Sequence, residues 1–202
     1  MTEKKKQHAI PIVIVLSITL LVAAIVLFWS TSLNNNAGIN GHSGIGGDFV
    51  LQSAEGSVSL SDYRGKVVVL YFGYAFCPDV CPTSLGLLSL ALAKLKPEEL
   101  DKIQTFFISV DPERDTVEKL KTYANAFHPN IIGITGNADE IADIADRYGV
   151  MYMKVELPGS AMGYAVDHSS RYYVIGVDGE LEKFIEHGTS PEDIVASLRS
   201  LM

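Results

Sequence analysis

The sequence is poor in cysteine, and this scarcity excludes several kinds of site. Only two of its 202 residues are cysteine, Cys77 and Cys81. An iron–sulfur cluster normally takes four cysteine ligands and is excluded by their number. Structural zinc takes four protein ligands, usually with more cysteine or histidine than a site built on this one pair collects. A disulfide between residues this close in sequence would close a very small loop and stabilise the fold little. The pair therefore indicates a functional role.

Basic residues are missing from a long N-terminal stretch. A run of three lysines ends at Lys6, and the next basic residue is Arg64. Residues 9–29 between them are apolar and uncharged, and as a helix they span about 31 Å, close to the bilayer core of about 30 Å. Lysines on one side only predict a cytoplasmic N-terminus. We expect a single transmembrane anchor in a bacterial inner membrane, with the remaining chain in the periplasm.

A cleaved signal peptide is the alternative to a retained anchor. Its apolar region would be about 7–15 residues long and would end at a small-residue cleavage site. The run here is longer, it ends in Phe28 and Trp29, which resemble an interfacial anchor, and no cysteine follows it as in a lipoprotein. The predicted organisation is a cytoplasmic tail (1–8), an anchor (9–29), a flexible linker rich in Ser, Asn and Gly (30–46) and one folded domain (47–202).

The chain carries more acidic than basic residues, with a formal net charge of −8. Nucleic acids are polyanions whose binding depends on lysine and arginine, so we predict no nucleic-acid partner. The charge suits a cationic metal or a basic partner surface, although its commonest effect is solubility.

Hydrophobic periodicity predicts an α/β domain. A buried strand is expected over 67–72, because it is apolar on both faces, and a helix is expected over 82–95. The other predicted elements are a hairpin over 49–60, strands over 103–110 and 131–134, helices over 116–127, 138–148 and 191–201, an extended segment over 150–155, a loop over 156–167, and hairpin strands over 171–177 and 180–185. This order predicts a mixed sheet flanked by helices, in a thioredoxin-like plan.

The two cysteines lie between the buried strand and its helix. Residues four apart share one helix face, so their sulfurs can meet at one atom. A helix N-terminus favours negative charge and lowers the pKa of a thiol there, which supplies a nucleophile or a soft-metal ligand. Buried packing of cysteine as a small apolar residue is the alternative. The flanking Pro78, Asp79 and Pro82 argue against it.

His168 is the candidate third ligand. It directly precedes the final hairpin, and in a thioredoxin-like sheet that region lies beside the cysteine loop. Two thiolates and one imidazole form a soft site that suits Cu(I) and, with adjustment, Cu(II). An exposed loop histidine is the alternative. Asp79 could tune this site electrostatically and Asp167 could orient His168 as a neighbouring partner, or each could simply shape its turn.

Thioether sulfurs are a further source of soft ligands, at Met151, Met153 and Met162. Methionines at alternate positions also fit ordinary strand packing. No functional role is expected for the remaining histidines, His8, His42, His128 and His187.

Several ordered motifs resemble the Sco/SenC family: residues 71–74, 77–83, 109–116 and 167–169. The resemblance covers about residue 47 to the C-terminus, and the anchor also fits. It implies a membrane-tethered, thioredoxin-like copper protein of the bacterial periplasm or the mitochondrial intermembrane space. It also implies that Cys77, Cys81 and His168 bind one copper ion, and that the protein helps to assemble the dinuclear copper centre of cytochrome c oxidase.

Two functions remain open at this point. As a metallochaperone rather than an enzyme, the protein would pass copper to the copper-bearing oxidase subunit, with another periplasmic copper chaperone or thiol reductant as a further partner. As a thiol–disulfide reductase, it would attack a partner disulfide with Cys77 and resolve the product with Cys81 as a redox-active pair. General thioredoxins carry a proline before the closing hairpin, where this chain has residues 167–169, and this departure favours metal binding. A thiol peroxidase has support only from analogy of fold.

Overall fold

The structure, a computed structural model, describes residues 44–202. A short 3-10 helix lies at Leu60–Tyr63. In chain order the other elements are β1 (Val50–Ser53), β2 (Gly56–Ser59), β3 (Val67–Gly73), α1 (Val80–Leu92), α2 (Pro97–Leu100), β4 (Ile103–Ser109), α3 (Val117–Asn125), β5 (Ile131–Ile134), α4 (Ala138–Tyr148), β6 (Tyr152–Glu156), β7 (Tyr164–His168), β8 (Tyr172–Ile175), β9 (Leu181–Ile185) and α5 (Pro191–Arg199).

A five-stranded mixed sheet in the order β5-β4-β3-β8-β9 forms the centre. Strands β3, β4 and β5 are parallel, and β8 and β9 run antiparallel to their neighbours. The sequence-based prediction of a mixed α/β, thioredoxin-like domain is confirmed. The short helix α2 was not predicted, and α1 begins two residues before its predicted start.

The central strand β3 separates two hydrophobic cores, because successive side chains of a strand point to opposite faces. Val68, Leu70 and Phe72 pack on one face with α4 and the β1–β2 hairpin. Val67, Val69 and Tyr71 pack on the other face with α1, α3 and α5. All seven residues of β3 are buried, as expected for a strand covered by helices on both sides.

The segment that carries His168 is a strand. Residues 156–167 were predicted as a loop, and that prediction is wrong at Glu156 and over 164–167, where β6 and β7 pair as an antiparallel hairpin. Tyr164 and Val166 alternate towards the core, which is the period of a strand, while Gly159 and Gly163 adopt positive φ in the connection. His168 therefore stands at the end of a hydrogen-bonded ladder.

The predicted anchor over 9–29 and the cytoplasmic tail lie outside the described residues, as does most of the linker. Among residues 44–202, no helix combines the length and hydropathy needed to cross a membrane.

Candidate metal centre

The cysteine pair lies where the end of β3 meets the start of α1. Cys81 is in the first turn of α1 and is fully buried, whereas Cys77 lies in the preceding loop and is half-buried. The backbone N–H of Cys81 donates to Sγ of Cys77 over 3.4 Å. Since the first N–H groups of a helix have no partner within the helix, this donor supports negative charge on Cys77.

Local contacts separate the pKa values of the two thiols. The pKa of Cys77 is well below its usual value, because the Cys81 thiol and nearby backbone N–H groups donate hydrogen bonds to its sulfur and outweigh its burial. The pKa of Cys81 is raised, because its proton is shared with the Cys77 thiolate and because the side chain is buried. At neutral pH the pair is one thiolate and one thiol, and both are free of any disulfide.

His168 reaches the cysteines from the end of β7. Its Nε2 lies 3.3 Å from Sγ of Cys81, and its Nδ1 lies 2.9 Å from the carbonyl oxygen of Ser169. A carbonyl only accepts hydrogen bonds, so Nδ1 carries the proton and the lone pair of Nε2 faces the sulfurs. The rings of Tyr71 and Tyr74 meet the imidazole edge-on, with centroids 6.4 and 5.8 Å away. The ring is thus held in a metal-ligating orientation.

The three ligand atoms have the spacing of a metal site. Both sulfurs and an imidazole nitrogen lie within 4.8 Å of one another. Bonds to thiolate and imidazole are about 2.3 and 2.0 Å, so two ligands on one ion lie at most about 4.6 Å apart. A small inward movement of the side chains would place all three on one ion. The donor set is soft, which fits Cu(I) better than a hard cation such as Mg²⁺.

Asp79 and Asp167 are both exposed beside this site. Asp79 precedes α1 and accepts a hydrogen bond from the Thr83 hydroxyl over 3.4 Å. Asp167 lies opposite Met153 across the β6–β7 ladder, and the contact that orients His168 comes from the Ser169 carbonyl. Both carboxylates line an open groove of about 370 Å³ that also contains Cys77 and His168.

A buried carboxylate, that of Asp115, hydrogen-bonds to the backbone of the cysteine loop. Asp115 is 1% exposed, and its Oδ2 accepts hydrogen bonds from the backbone N–H of Ala75 over 2.8 Å and from the Ser109 hydroxyl over 2.7 Å. Ala75 lies two residues before Cys77 in the same loop. Asp115 therefore fixes the loop to the C-terminal end of β4.

A second buried carboxylate connects to the hairpin that carries His168. Asp111 accepts hydrogen bonds from Nε of Arg114 over 2.5 Å and from the Tyr164 hydroxyl over 2.7 Å. Nη1 of Arg114 donates to the carbonyls of Met162 and Tyr164 over 3.2 and 2.9 Å, and the guanidinium stacks 3.6 Å over the Tyr164 ring. Arg114 thus ties β7 to the region that also fixes the cysteine loop. Reasoning from the residues alone missed this role, although the motif at 109–116 was part of the family resemblance.

The Cys81 sulfur packs against Gly73, in space that a side chain at position 73 would occupy. A Cβ added at this glycine would lie 2.6 Å from Sγ of Cys81 and 2.9 Å from the Phe107 ring. Real Cβ atoms do not approach neighbours so closely, so a side chain here would displace the sulfur. The last residue of β3 must be glycine for the buried thiol to pack against the strand.

The model of the SCO1/SenC family matches residues 37–202. The chain belongs to the SCO1/SenC family. Its match covers the whole described domain, and the family membership predicted from the sequence is confirmed. A SCO2-like protein of Rickettsia conorii is 37% identical over 204 residues, which cover 98% of this chain and 99% of that protein.

Solved Sco structures share the fold. Arabidopsis thaliana ScoI, whose structure has copper bound, is 38% identical with a TM-score of 0.71, and the match covers 77% of this chain and 96% of that one. BsSco is 26% identical with a TM-score of 0.60, covering 80% of this chain and 95% of that one. It is described as having a disulfide switch and as a member of the Sco family of cytochrome c oxidase assembly proteins.

Proposed function

We propose that this SCO1/SenC chain is a membrane-tethered metallochaperone that binds one copper ion and delivers it during assembly of the dinuclear copper centre of cytochrome c oxidase. The observation that carries the proposal is the convergence of Cys77, Cys81 and His168 within 4.8 Å, from two elements far apart in sequence. The copper in the Arabidopsis ScoI structure and the assembly role given for BsSco's family support the same function.

Copper binding uses the different states of the two sulfurs. Cys77 offers a thiolate at neutral pH, because its pKa is lowered, and Cys81 gives up its proton when the ion arrives. The imidazole of His168 already points its free lone pair at the sulfurs. With two thiolates and one imidazole the site is saturated for Cu(I), which accepts low coordination numbers of soft ligands.

Delivery requires the ion to leave, and the geometry provides an exposed side for this. Cys77 is half-buried in an open groove, while Cys81 is enclosed. A partner thiolate can therefore replace Cys77 first, and the other ligands are exchanged afterwards. Each step forms one metal–ligand bond as another breaks, and no electron is transferred.

The test is competition between the reduced full chain and a Cu(I) chelator, run beside the single variants Cys77→Ala and His168→Ala. We expect tight one-to-one binding in the unmodified chain and clear loss of affinity in both variants. His187→Ala is a matched control, because His187 bonds to the Ser84 hydroxyl at 2.8 Å rather than to the cysteines. Equal affinity in the His168→Ala variant and the unmodified chain would remove His168 from the site.

The second candidate is a thiol–disulfide reductase that keeps the copper-site cysteines of the oxidase reduced. The observation in its favour is the paired thiolate and thiol, since a nucleophile of lowered pKa beside a resolving thiol is what disulfide exchange requires. Cys77, the more accessible sulfur, would attack a partner disulfide, and Cys81 would then displace the partner. Cys77 and Cys81 would be oxidised to a disulfide as the partner gains two thiols.

A peptide with the oxidase's copper-site disulfide separates the two functions. The reductase requires the reduced full chain to convert this disulfide into two thiols, and it requires His168→Ala to retain that ability. A peptide that stays oxidised in the presence of the reduced chain excludes the reductase. The chaperone requires copper transfer to the same peptide in its reduced form.

The proposal includes the tether. Residues 9–29 would span the inner membrane with residues 1–8 in the cytoplasm, and residues 30–46 would give the domain reach in the periplasm. Tethering would raise its effective concentration near a membrane-bound oxidase. Fusing alkaline phosphatase, which is active only in the periplasm, after residue 46 is expected to give an active enzyme. An inactive fusion of normal abundance would contradict this orientation.

A further inference from the structure

The hairpin that carries His168 also carries most of the methionines of the chain. Of five methionines in the sequence, Met151, Met153 and Met162 lie within or beside the β6–β7 hairpin. Methionine is usually buried as an apolar residue that fills gaps in a core. Its concentration on this one hairpin is unexplained by the copper site formed by the cysteines and His168.

Two of these methionines are largely in solvent. Met151 is 78% exposed and Met153 is 63% exposed. Met151 directly precedes β6 and Met153 is its second residue, and the hydrogen bond from the Ser169 N–H to the Met151 carbonyl continues the β6–β7 pairing. Residues two apart in an extended chain face the same side, with Cα atoms about 7 Å apart, and both methionines line one groove. Long flexible side chains at this separation can bring both sulfurs to one ion. Exposed apolar side chains that stand together, rather than singly, indicate a functional surface.

The exposed pair borders the copper site through shared residues. Met151 and Met153 line a shallow groove of about 420 Å³ together with Asp167 and His168. The same Asp167 and His168 line the groove that contains Cys77. Across the hairpin ladder, Met153 lies opposite Asp167, and the Met151 carbonyl accepts from the Ser169 N–H over 2.9 Å. The thioether groove and the cysteine groove thus meet at His168.

We propose that Met151 and Met153 form a second, weaker binding site for Cu(I), from which the ion passes to Cys77, Cys81 and His168. The inference rests on the proposed copper function and adds an entry route to it. Thioethers are soft, neutral ligands that select Cu(I) over hard cations. They cannot form a disulfide, so the pair remains a ligand whether or not the cysteines are oxidised. The exposed carboxylate of Asp167 adds a negative charge that attracts the cation.

The transfer is a ligand exchange that leaves the oxidation state of copper unchanged. One thioether–copper bond breaks as the bond to Nε2 of His168 or to a cysteine sulfur forms, and the second thioether–copper bond breaks as the next bond to the main site forms. The displaced thiol proton goes to solvent. Because thiolates hold Cu(I) more strongly than neutral thioethers, the direction is towards the cysteines.

The first arm of the test detects the site itself. The full chain is labelled with ¹³C at the methionine methyl groups, and Cys77→Ala and Cys81→Ala remove the main site. Ag(I), a soft ion that does not change oxidation state, is then added. We expect the Met151 and Met153 methyl signals to shift together and to saturate at one equivalent, while Met162 and Met202 stay unchanged. Signals of Met151 and Met153 that stay still, or shift no more than the others, would overturn the proposal.

The second arm tests the route in a chain with intact cysteines. Met151→Leu with Met153→Leu keeps the apolar surface and removes both sulfurs, and Met162→Leu is the control on the same hairpin. We expect Cu(I) uptake from a chelator to slow on the order of tenfold in the double variant, because local capture raises the effective concentration at the main site. Equilibrium affinity should stay unchanged, and the control should load normally.

An unchanged uptake rate would mean that the methionine face serves only as an apolar contact, and the proposed entry route would then be wrong. Failure of the main copper function has a different signature. In that case the unmodified chain would show no cysteine-dependent affinity at equilibrium, whatever the methyl signals of the cysteine-free variant show.

Discussion

The replacement Arg114→Leu tests whether the ion pair beneath the hairpin supports the metal centre. The Asp111 side chain is completely buried and that of Arg114 is 16% exposed, so their charges are mostly shielded from water. Leucine preserves apolar contact with Tyr164 but leaves the Asp111 carboxylate with the Tyr164 hydroxyl as its one remaining side-chain donor among the described residues. Breaking a buried pair in this way costs about 3–5 kcal/mol of unfolding free energy.

Two further variants divide that cost into parts. Tyr164→Phe removes only the hydroxyl that donates to Asp111, and a hydrogen bond to a charged group contributes about 1.5–3 kcal/mol. Arg114→Lys keeps the positive charge but lacks the planar guanidinium with which Arg114 contacts Asp111 and two carbonyls at once. We therefore expect a loss of unfolding free energy between those of wild type and Arg114→Leu. The expected order of stability is wild type, then either milder variant, then Arg114→Leu.

The assay is urea unfolding of the full chain in detergent, followed by near-ultraviolet circular dichroism, with Cu(I) affinity measured on the same samples under native conditions. We expect Arg114→Leu to lower both the unfolding free energy and the copper affinity, because the hairpin that positions His168 loses its anchor. Adding His168→Ala to Arg114→Leu should lower the affinity little further. An unfolding free energy within about 0.5 kcal/mol of wild type, the usual effect of a neutral surface change, would refute the reasoning.

Three further predictions follow from the site. The alkylation rate of Cys77 should stay near its plateau from about pH 8 to about pH 6, since the pKa of this thiol is lowered. An ordinary thiol with a pKa of about 8.5 reacts about tenfold more slowly for each pH unit below that value. Mass spectrometry that measures alkylation at Cys77 and at buried Cys81 separately checks this. Folding lowers the pKa of Cys77, so the Cys77 thiolate contributes fully to stability above the unfolded-state pKa of this thiol. The contribution is lost as the pH falls towards the folded-state pKa, and Cys77→Ala should remove this pH dependence from urea unfolding curves. Gly73→Ala should displace Sγ of Cys81, cost about 1–3 kcal/mol of unfolding free energy and weaken Cu(I) binding. In the control Gly86→Ala no atom lies within 4 Å of the new Cβ, so stability and Cu(I) binding should be unchanged. Equal copper affinity in the two variants would contradict the packing argument.

The sequence was sufficient to predict the main sheet and the three candidate ligands. The buried strand 67–72 is apolar at every position, and the alternation of strands and helices after it has few compact solutions. Cys77 and Cys81 were found because they are the only two cysteines of the chain, and His168 was found because it directly precedes the final hairpin and lies in a motif that resembles the family. Their closeness, 4.8 Å or less between ligand atoms, is what the thioredoxin-like plan implied for these positions.

The supporting contacts could not be predicted from local patterns. Asp111 and the Tyr164 hydroxyl are 53 residues apart in sequence, and Asp115 and the Ala75 N–H are 40 apart, so no periodicity connects them. Strand β7 was missed because the glycines and Pro158 before it are strong turn signals, and the short alternation that follows was read as part of the same loop. The need for glycine at position 73 depends on the location of a sulfur on a different element.

X-ray absorption of the full chain loaded with less than one equivalent of Cu(I) tests the central claim most directly. The account predicts two sulfur neighbours at about 2.3 Å and one nitrogen neighbour at about 2.0 Å from copper. The nitrogen signal should disappear in the His168→Ala variant, and one sulfur should be lost in Cys77→Ala. A spectrum with no nitrogen neighbour, or one left unchanged by His168→Ala, would contradict a copper site formed by these three residues.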